Sequence, residues 1–405
     1  MKVKSVPEDF IVREVSPVTP EDSGEFGLYL LEKRGWNTTD LLKRIARQAR
    51  VPYSLFAYGG RKDRHACTSQ FVTVRHPEDL STTGEDWSFR LLGRTTRPMG
   101  PDLIAGNQFE ITLRALTARE AGALVEALEA VGRTGFENYF DDQRFAGVDP
   151  ERGFIAERIL KGHWKGSLEI YLTGVRPDDP GPEKARRRAM RERWGDWEAC
   201  LPLSCDETER KILKRLIADP RDYVGALRVI PREEMSMFFA AYQAFIWNEV
   251  LRRIVVRLGE GVGEAILVHE GKCGRYLFLP DLEGDARAYL TRLAVPLPGA
   301  RAVFPDPQVE RIYLEVLSER GIHPGRFNLR KLRQAYFKST PRDAHVSPQG
   351  LRTTGPEVDP LNPSSFTLKV AFTLPRGSYG TMLVKRAWAE VKTASVSGEE
   401  GPQLE

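Results

Sequence analysis

Hydrophobic and polar residues alternate near both ends of the chain, and this period of two predicts β-strands. In the first region, residues 107 to 114, the apolar side chains on one face are Phe109, Ile111 and Leu113. In the second region, the residues that alternate are Phe366, Leu368, Val370 and Phe372. One apolar and one polar face are typical of half-buried antiparallel strands, which we therefore expect in both regions.

Helix start signals lie between the predicted strands. Asn37 can cap a helix that has Asp40 at its third position. Thr117 and Glu120 have the spacing of a capping box, and Gly132 is the expected end of that second helix. Strands interleaved with helices, without a regular alternation of strand and helix, indicate the α+β class.

The middle of the chain changes to helical spacing. After Gly153 the apolar residues recur at intervals of three and four, as between residues 204 and 217 and between 238 and 254. We therefore predict a sheet-based domain that is interrupted by an inserted, helix-rich α+β domain. The polar composition of the last residues predicts a disordered tail. The predicted boundaries, in chain order, are 1–155, 156–335, 336–392 and 393–405.

Composition favours a globular protein of the cytoplasm. The chain has 405 residues, of which 41% are hydrophobic, and this is enough for a substantial core in two or three domains. No run approaches the ~18 apolar residues of a membrane span, and the first residues lack the apolar stretch of a secretory signal. We therefore expect a cytoplasmic protein that has no membrane partner.

The cysteines predict neither disulfides nor a metal site. Four residues are too few and too scattered for a disulfide framework: Cys67, Cys200, Cys205 and Cys273. Cys200 and Cys205 are close in sequence, but two thiolates alone cannot complete a zinc site. We therefore predict that the protein holds no metal.

The net charge of +4 includes an acidic tail. Residues 393–405 contain three acidic residues and no Lys or Arg, so the remainder of the chain carries +7. A mildly basic body is compatible with a polyanionic partner without establishing one. A sharper feature is a run of six cations and one acid from Lys184 to Arg193. This run predicts either a solvated helix face or an arm that contacts phosphates through Arg186, Arg187 and Arg188.

One carboxylate lies among three cations just before an alternating segment, residues 71 to 74. Arg61, Lys62 and Arg64 favour the ionised form of Asp63, so this carboxylate is expected to be charged at neutral pH and available for attack. The same three cations are suited to contact a phosphodiester backbone. Taken alone, the run is also typical of a solvated charged turn.

Four short segments of the chain stand out: K-S-V-P-E-D-F at 4–10, G-R-K-D at 60–63, N-Y-F-D-D-Q-R-F at 138–145 and F-T-L-P-R-G-S-Y at 372–379. In this order they resemble motifs of the TruD family of RNA pseudouridine synthases. The resemblance implies a pseudouridine-synthase-like catalytic domain with a mixed, mainly antiparallel sheet and flanking helices, interrupted by the inserted domain. It implies an isomerisation that requires no metal and no organic cofactor.

The resemblance also implies roles for single residues. Asp63 is the reactive carboxylate, Lys4 is the ammonium that pairs with it, and Asn138 is an amide that holds the carboxylate or the ribose. The aromatic residues expected beside the uracil are Phe10, Phe140 and Tyr379. The structural alternatives are an exposed lysine for Lys4, a core residue for Phe10 and a turn or cap residue for Asn138. For Gln143 and Arg144 we favour a structural role over RNA contact.

Four residues depart from the family pattern. Arg13 lies where relatives tend to be acidic, Asp141 replaces the glycine after N-Y-F, Ala146 is an extra residue before Gly147, and Gly380 replaces the alanine after G-S-Y. We expect them in loops near the site, where they bear on the choice of RNA and not on the reaction type.

The prediction is an RNA pseudouridine synthase, an isomerase that acts on a uridine of tRNA, most simply uridine 13 in the D-arm, with Asp63 as nucleophile. We expect tRNA as partner and a monomeric protein. The alternatives are a tRNA-binding or tRNA-folding protein without turnover, a synthase that modifies another RNA uridine, and a metal-dependent nuclease built on Asp9, Asp141 and Asp142. A chelator separates the last of these, because metal-dependent hydrolysis requires its metal.

Overall fold

A computed structural model of the protein describes residues 1–177, 179–263, 265–280, 283–332 and 335–397. Within these ranges the chain forms sixteen strands and twelve helices. The strands are β1 Lys2–Val3, β2 Phe10–Val15, β3 Phe26–Arg34, β4 Phe56–Tyr58, β5 Cys67–Val74, β6 Thr82–Gly84, β7 Trp87–Thr95, β8 Gly106–Leu116, β9 Phe136–Glu137, β10 Leu267–His269, β11 Tyr276–Phe278, β12 Ala294–Pro296, β13 Pro341–Asp343, β14 His345–Val346, β15 Gln349–Val358 and β16 Phe366–Pro375. The helices are α1 Thr38–Gln48, α2 Ala118–Thr134, α3 Ile155–Leu160, α4 Trp164–Thr173, α5 Gly181–Glu192, α6 Trp197–Cys200, α7 Glu207–Ala218, α8 Tyr223–Val229, α9 Arg232–Val262, α10 Gly284–Arg292, α11 Pro307–Glu319 and α12 Gly380–Ser397.

The first of two compact units comprises residues 1–136 and the chain from 346 onward. It is built on a ten-stranded sheet with the order β15-β16-β8-β2-β5-β3-β7-β6, in which β1 also pairs with β8 and β4 with β5. Strands β2 and β5 are parallel, and the other pairs of this sheet are antiparallel. The predicted α+β class and the mixed, mainly antiparallel sheet are confirmed.

The two regions of alternation form neighbouring strands, β8 and β16. In their antiparallel register Phe109 lies opposite Phe372, and Ile111 lies opposite Val370. All four side chains are buried. Because β8, from the first part of the chain, pairs along its length with β16, from the last part, this unit requires both chain segments.

Helix α1 covers the other half of the same sheet. The apolar face of α1 consists of Leu41, Leu42 and Ile45, which join a core with Tyr29 and Phe89, whose rings stack with centroids 4.2 Å apart. The predicted start of this helix is confirmed, but its cap differs from the expected form. The amide of Asn37 donates to the Asp40 carboxylate at 3.0 Å and does not cap the backbone.

Helix α2 begins with the predicted capping box. The Thr117 hydroxyl accepts from the Glu120 backbone N–H at 3.2 Å, and the Glu120 carboxylate accepts from the Thr117 N–H at 3.0 Å. The predicted end at Gly132 is wrong, because the helix continues to Thr134 and stops at Gly135. Gly135 has φ of 77°, in the left-handed region where glycine ends a helix at no steric cost.

The second unit comprises residues 137–345 and contains α3 to α11 with two short antiparallel pairs, β10 with β11 and β12 with β13. The predicted insertion, 156–335, lies inside this unit, whose bounds are wider at both ends. The two segments with helical spacing, 204–217 and 238–254, correspond to α7 and α9. Helix α9 begins at Arg232, six residues before the apolar pattern starts at residue 238, because its first turn is polar.

The C-terminal helix extends past the predicted start of the tail. Helix α12 runs to Ser397, so residues 393–397 are helical, whereas residues 398–405 of the predicted tail lie outside the described residues. Among the helices that the structure describes, none has the length and apolar character needed to cross a membrane.

Candidate active site

The loop that carries Asp63 connects β4 to β5 and is anchored from below by two buried polar side chains. The amide of Gln70 donates to the carbonyl of Gly60 at 3.0 Å. The Thr38 hydroxyl donates to the Gln70 amide oxygen at 2.9 Å and accepts from the backbone N–H of Lys62 at 3.1 Å. Because these partners lie on rigid elements, β5 and α1, the loop is held in one conformation.

Lys62 faces the interior of the first unit. Its ammonium lies 3.0 Å from the Glu14 carboxylate and also donates to the Asn107 side chain. Glu14 is buried and accepts from the backbone N–H of Phe71 at 3.1 Å. A buried carboxylate requires a cation beside it. Lys62 therefore stabilises the loop. Its ammonium is bonded within the first unit, so its contact with an RNA backbone stays a prediction.

Asp63 receives one ammonium group on its side chain and another on its backbone. Lys4 donates to the carboxylate oxygen Oδ2 at 2.7 Å, and Lys33 donates to the backbone carbonyl at 2.7 Å. The Asp63 side chain is 24% exposed, so the carboxylate is fixed yet reachable from solvent. The pairing expected between Lys4 and Asp63 is therefore present in the structure.

Lys33 was missed in the sequence, although the strand pattern contains a signal for it. On β3 the buried series Tyr29, Leu31, Lys33 continues the core face of the strand, so an alternating pattern places a lysine where an apolar residue is expected. Burial lowers the pKa of the Lys33 ammonium to about 8, and the nearby Asp63 carboxylate partly opposes this shift. A buried cation with a lowered pKa, bonded to the Asp63 loop, is typical of functional sites.

The N-terminal motif presents Lys4 in a strained backbone conformation. Lys4 has φ of 61°, in the left-handed region that residues with a Cβ rarely adopt. Its ammonium lies 3.9 Å from the centroid of the Phe10 ring, in the geometry of a cation–π contact. Strain of this kind persists only where surrounding contacts impose it, and it clusters at functional sites.

Asp9 anchors the N-terminal motif that contains Lys4. Its buried carboxylate accepts from the Val6 backbone N–H at 3.1 Å and from the Arg114 guanidinium at 2.7 Å. Arg114 also bonds Asp359 at 3.0 Å, which links the motif to the segment between β15 and β16. Burial alone would raise the pKa of the Asp359 carboxyl, but hydrogen bonds from Ala115 and other donors hold that pKa below its usual range. Sequence reasoning identified neither Arg114 nor Asp359.

Phe10 supports Lys4 and is not an open platform. The ring is 3% exposed and meets Phe109 edge to face, with centroids 6.1 Å apart. Phe109 in turn packs on Phe372 at 5.4 Å. These contacts favour the structural alternative, in which Phe10 is a core residue. Its ring also contacts the Lys4 ammonium.

Tyr379 lies in the turn between β16 and α12, on the same unit as Asp63. It is half-buried, and its carbonyl accepts from the Met382 N–H at 3.0 Å in the first turn of the helix. The next residue, Gly380, packs against Phe109, because a Cβ at that position would lie 2.9 Å from the Phe109 ring. The glycine that replaces the family's alanine is therefore matched to a large aromatic neighbour.

Asn138 and Phe140 belong to the second unit. The Asn138 amide donates to the Asp343 carbonyl at 3.1 Å, and its oxygen accepts from Arg342 at 2.8 Å. Arg342 also donates to the Asn138 carbonyl at 2.6 Å. These contacts hold Asn138 against a distant segment, residues 342 and 343, and its part in holding the carboxylate or the ribose stays a prediction. They also identify Arg342 as a residue that sequence reasoning missed.

The Phe140 ring is covered on one side by a cation. The guanidinium of Arg342 lies 4.0 Å from the ring centroid, Trp247 meets the ring edge to face at 5.5 Å, and the ring is 6% exposed. The side chain of Asn248 accepts from the Phe140 N–H and donates to its carbonyl, both at 2.9 Å. A uracil stacked on this ring therefore requires a local rearrangement of Arg342, so stacking on Phe140 stays a prediction.

The predicted phosphate contacts on α5 divide into two kinds. Arg186 pairs with Glu183 and with the buried Glu209 at 2.8 Å, and Arg187 pairs with Glu183 and donates to two carbonyls. Arg186, and to a lesser degree Arg187, lowers the pKa of Glu183 to about 2. These two arginines therefore connect helices, and only Arg188 of the three predicted residues is exposed.

Two cations of the Asp63 loop, Arg61 and Arg64, are exposed and stay candidates for RNA contact. Among the departures from the family pattern, Arg13 lies within β2 and not in a loop, and it pairs with Glu110 on the adjacent strand. The cross-strand pair is a structural use of Arg13.

The three carboxylates of the nuclease alternative have other partners. Asp9 pairs with Arg114, Asp142 accepts from the Tyr276 hydroxyl at 2.8 Å, and Asp141 is buried. In the described ranges, no group of three or more His, Cys, Asp or Glu side chains has a geometry that could hold a metal ion.

Comparisons with known proteins agree with the fold and the motifs. A solved structure from Methanosarcina mazei, described as tRNA pseudouridine synthase D (TruD), superposes with a TM-score of 0.70 at 26% sequence identity. The match covers 95% of this chain and 92% of that chain, so the protein has the fold of a pseudouridine synthase. The profile of the family described as "TruD: tRNA pseudouridine synthase D (TruD)" matches residues 1–387, and the chain belongs to this family.

Curated relatives match over nearly their whole length. The tRNA pseudouridine synthase D of Aquifex aeolicus is 27% identical over 97% of this chain and 100% of its own length. The protein of the same name from Leptospira interrogans is 27% identical over 95% of both chains. Similarity along the full length means that both units are shared.

Proposed function

We propose that the protein converts uridine 13 of tRNA into pseudouridine, with Asp63 as the nucleophilic carboxylate. Membership in the family makes the protein a tRNA pseudouridine synthase, an isomerase, and makes tRNA its substrate. The position in the tRNA and the role of Asp63 go beyond this. The observation that carries the proposal is the 2.7 Å hydrogen bond between Lys4 and a partly exposed Asp63, which joins two of the four motif segments.

The reaction breaks the bond between N1 of uracil and C1′ of ribose and forms a bond between C5 and C1′. The proton lost from C5 is balanced by one gained at N1, so the product is an isomer and no oxidant or reductant is consumed. The carboxylate can act in two ways, by attack on C1′ or by removal of the 2′ proton, and both need an ionised oxygen next to the ribose. Asp63 satisfies this requirement because a cation holds its side chain at the surface.

Lys4 and Lys33 have separate parts in this proposal. Lys4 binds the carboxylate itself and fixes the direction of its reactive oxygen, as a preorganised charged partner does. Lys33 donates to the backbone carbonyl of Asp63 and so holds the loop at a fixed position relative to β3. The target uridine must leave its stack to reach the carboxylate, because C1′ and both base faces are inaccessible in a helix.

The direct test is to map pseudouridine in an unmodified tRNA transcript after incubation with the purified protein. We expect modification at position 13 with the wild type and none with Asp63→Asn, which keeps the shape of the side chain and removes the reactive charge. The affinity of Asp63→Asn for tRNA should stay within a few-fold of wild type. Asp102→Asn is the matched control, since Asp102 is an exposed aspartate whose partner, Arg97, is also exposed.

Each alternative gives a different result in the same assay. A tRNA-binding protein without turnover binds the transcript and forms no pseudouridine. A synthase of another specificity modifies a position other than 13, and a transcript with cytidine at position 13 would then still be modified. Hydrolysis of the RNA that EDTA abolishes would indicate the nuclease.

A further inference from the structure

A cavity of about 560 Å³ in the second unit lies outside all four motif segments. Its lining comes from residues 300–301, 327–330 and 335–339. Its base contains Phe327 and Phe337, which meet edge to face with centroids 4.9 Å apart. The amide of Gln243, on α9, donates to the carbonyls of Pro298 at 2.6 Å and Lys338 at 3.0 Å, so one helix holds both of these residues.

The charged side chains that line this cavity are all positive: Arg301, Arg330 and Lys338. Each of them is exposed. The two chain segments that supply the lining, residues 297–304 and 321–339, contain no Asp or Glu. A concave surface with cations and without carboxylates attracts a polyanion.

Tyr336 lines the same cavity and is 64% exposed. In the part of the chain that the structure describes, it is the one aromatic among the exposed large hydrophobic side chains. Burial of an aromatic ring is strongly favourable, so a ring that stays in solvent between cations indicates a binding surface. Proteins bind unpaired nucleotides with this combination, in which the base stacks on the ring and the phosphates meet the cations.

We propose that this cavity, the Tyr336 cavity, binds an unpaired nucleotide of the tRNA substrate. The base stacks on Tyr336, and the adjoining phosphates are contacted by Arg301, Arg330 and Lys338. The inference rests on the proposed function only in taking tRNA as the RNA that is bound. Within the second unit, RNA contacts this cavity and the exposed Arg188 on α5.

A second surface cavity in the same unit provides an internal control. It has a volume of about 610 Å³, lies along α11, and is lined by Leu314 together with three glutamates and one cation: Glu310, Glu315, Glu319 and Arg311. Leu314 is 43% exposed, so its side chain can be truncated without opening the core. Because the glutamates repel phosphates, RNA is not expected at this second surface.

The test measures the affinity of labelled tRNA for Tyr336→Ala, Tyr336→Phe and Leu314→Ala by fluorescence anisotropy. Loss of one stacked base should raise the dissociation constant of Tyr336→Ala roughly 5-fold to 150-fold. Tyr336→Phe keeps the ring and should bind within about twofold of wild type, since stacking needs only the aromatic face. Leu314→Ala should match wild type, and the melting temperatures of all three variants should agree.

Salt dependence tests the cations separately from the ring. Arg301→Ala and Lys338→Ala should each reduce the slope of log affinity against log salt by roughly 0.7. A single-stranded oligoribonucleotide should compete for this part of the binding, whereas a blunt RNA duplex should not.

Unchanged affinity of Tyr336→Ala for both tRNA and the oligonucleotide overturns the inference, even if the wild type forms pseudouridine. Equal loss in Tyr336→Ala and Leu314→Ala overturns it as well, because the effect would then not belong to this cavity. Binding that depends on Tyr336, in a wild type that forms no pseudouridine, overturns the proposed function and supports the cavity as an RNA site.

Discussion

Lys4 and Asp63 are joined by a charge-assisted hydrogen bond of 2.7 Å although 59 residues separate them in the chain. The pair connects the N-terminal motif to the loop before β5. Lys4 reaches this position from a left-handed backbone conformation, with its ammonium above the Phe10 ring. The position of the Asp63 carboxylate therefore depends on a strained residue near the start of the chain.

Lys4→Gly and Lys4→Ala separate the ammonium from the backbone strain. Both variants should lose nearly all pseudouridine formation, because both remove the cation that orients Asp63. Lys4→Gly should be about 1 kcal/mol more stable than Lys4→Ala in urea unfolding, since glycine adopts φ near 61° without strain. If the alanine variant is equally or more stable, the left-handed conformation of residue 4 is not retained in solution.

Lys33 should give the protein a pH-dependent stability between pH 8 and pH 10. The folded-state pKa is about 8, below the value of 10.5 for an unperturbed lysine, so the unfolded state binds more protons in this interval. Stability should therefore rise with pH through this range, by at most roughly 1.4 kcal/mol per pH unit. Below pH 8 the cost of the buried charge is fully present.

Lys33→Met removes this titration. The stability of the variant relative to wild type should be greatest near pH 7 and should decline as the pH rises to 10, as measured by urea unfolding at each pH. Parallel curves for the two proteins would show that Lys33 does not titrate in this range. Because the hydrogen bond to the Asp63 carbonyl is also lost, turnover should fall in Lys33→Met at every pH.

Gly380→Ala should destabilise the protein by about 1 to 3 kcal/mol, because the added methyl group overlaps the Phe109 ring. The family's alanine at this position can be accommodated only if the neighbour is smaller. Phe109→Leu should therefore partly rescue Gly380→Ala, with a favourable coupling energy above about 0.5 kcal/mol in a double-mutant cycle. Additive effects of the two substitutions would mean that the turn shifts away from the ring.

Arg186→Ala should lower folding stability, whereas Arg188→Ala should lower the affinity for tRNA. Arg186→Ala leaves the buried Glu209 without its cation and should cost about 3 kcal/mol of folding stability. Arg188→Ala should leave the melting temperature unchanged and weaken tRNA binding, with a reduction of roughly 0.7 to 0.9 in the salt slope. If Arg188→Ala and wild type have the same tRNA affinity and the same salt slope, the exposed face of α5 is only a solvated surface and does not contact RNA.

Local sequence patterns predicted the structural features that are determined by residues close together in the chain. Alternation identified β8 and β16, and the Thr117 and Glu120 spacing identified the start of α2, since each depends on local backbone geometry. The end of α2 was wrong because two glycines, Gly132 and Gly135, were available, and only the fold of the following segment selects the second.

The site was predictable only where a motif names the residue. Asp63 and Lys4 came from the family resemblance, and their contact could not be derived from spacing. Glu14 and Lys33 show that part of the rest was accessible, because each puts a charge on the core face of an alternating strand. Such a charge requires a buried partner. The identity of that partner depends on which strands pair, so the sequence alone does not connect Lys62 with Glu14.

The link from Asp9 through Arg114 to Asp359 has a consequence for the timing of biosynthesis. Asp359 leaves the ribosome 296 residues after Asp63, which corresponds to about 15 to 60 s at ordinary rates of translation. Until then β8 also lacks β16, its neighbour in the sheet. A nascent chain that already carries Lys4 and Asp63 therefore lacks two contacts of the folded protein, the pairing of β8 with β16 and the bond from Arg114 to Asp359. We expect the enzyme to become competent only near the end of its own synthesis, once both contacts have formed.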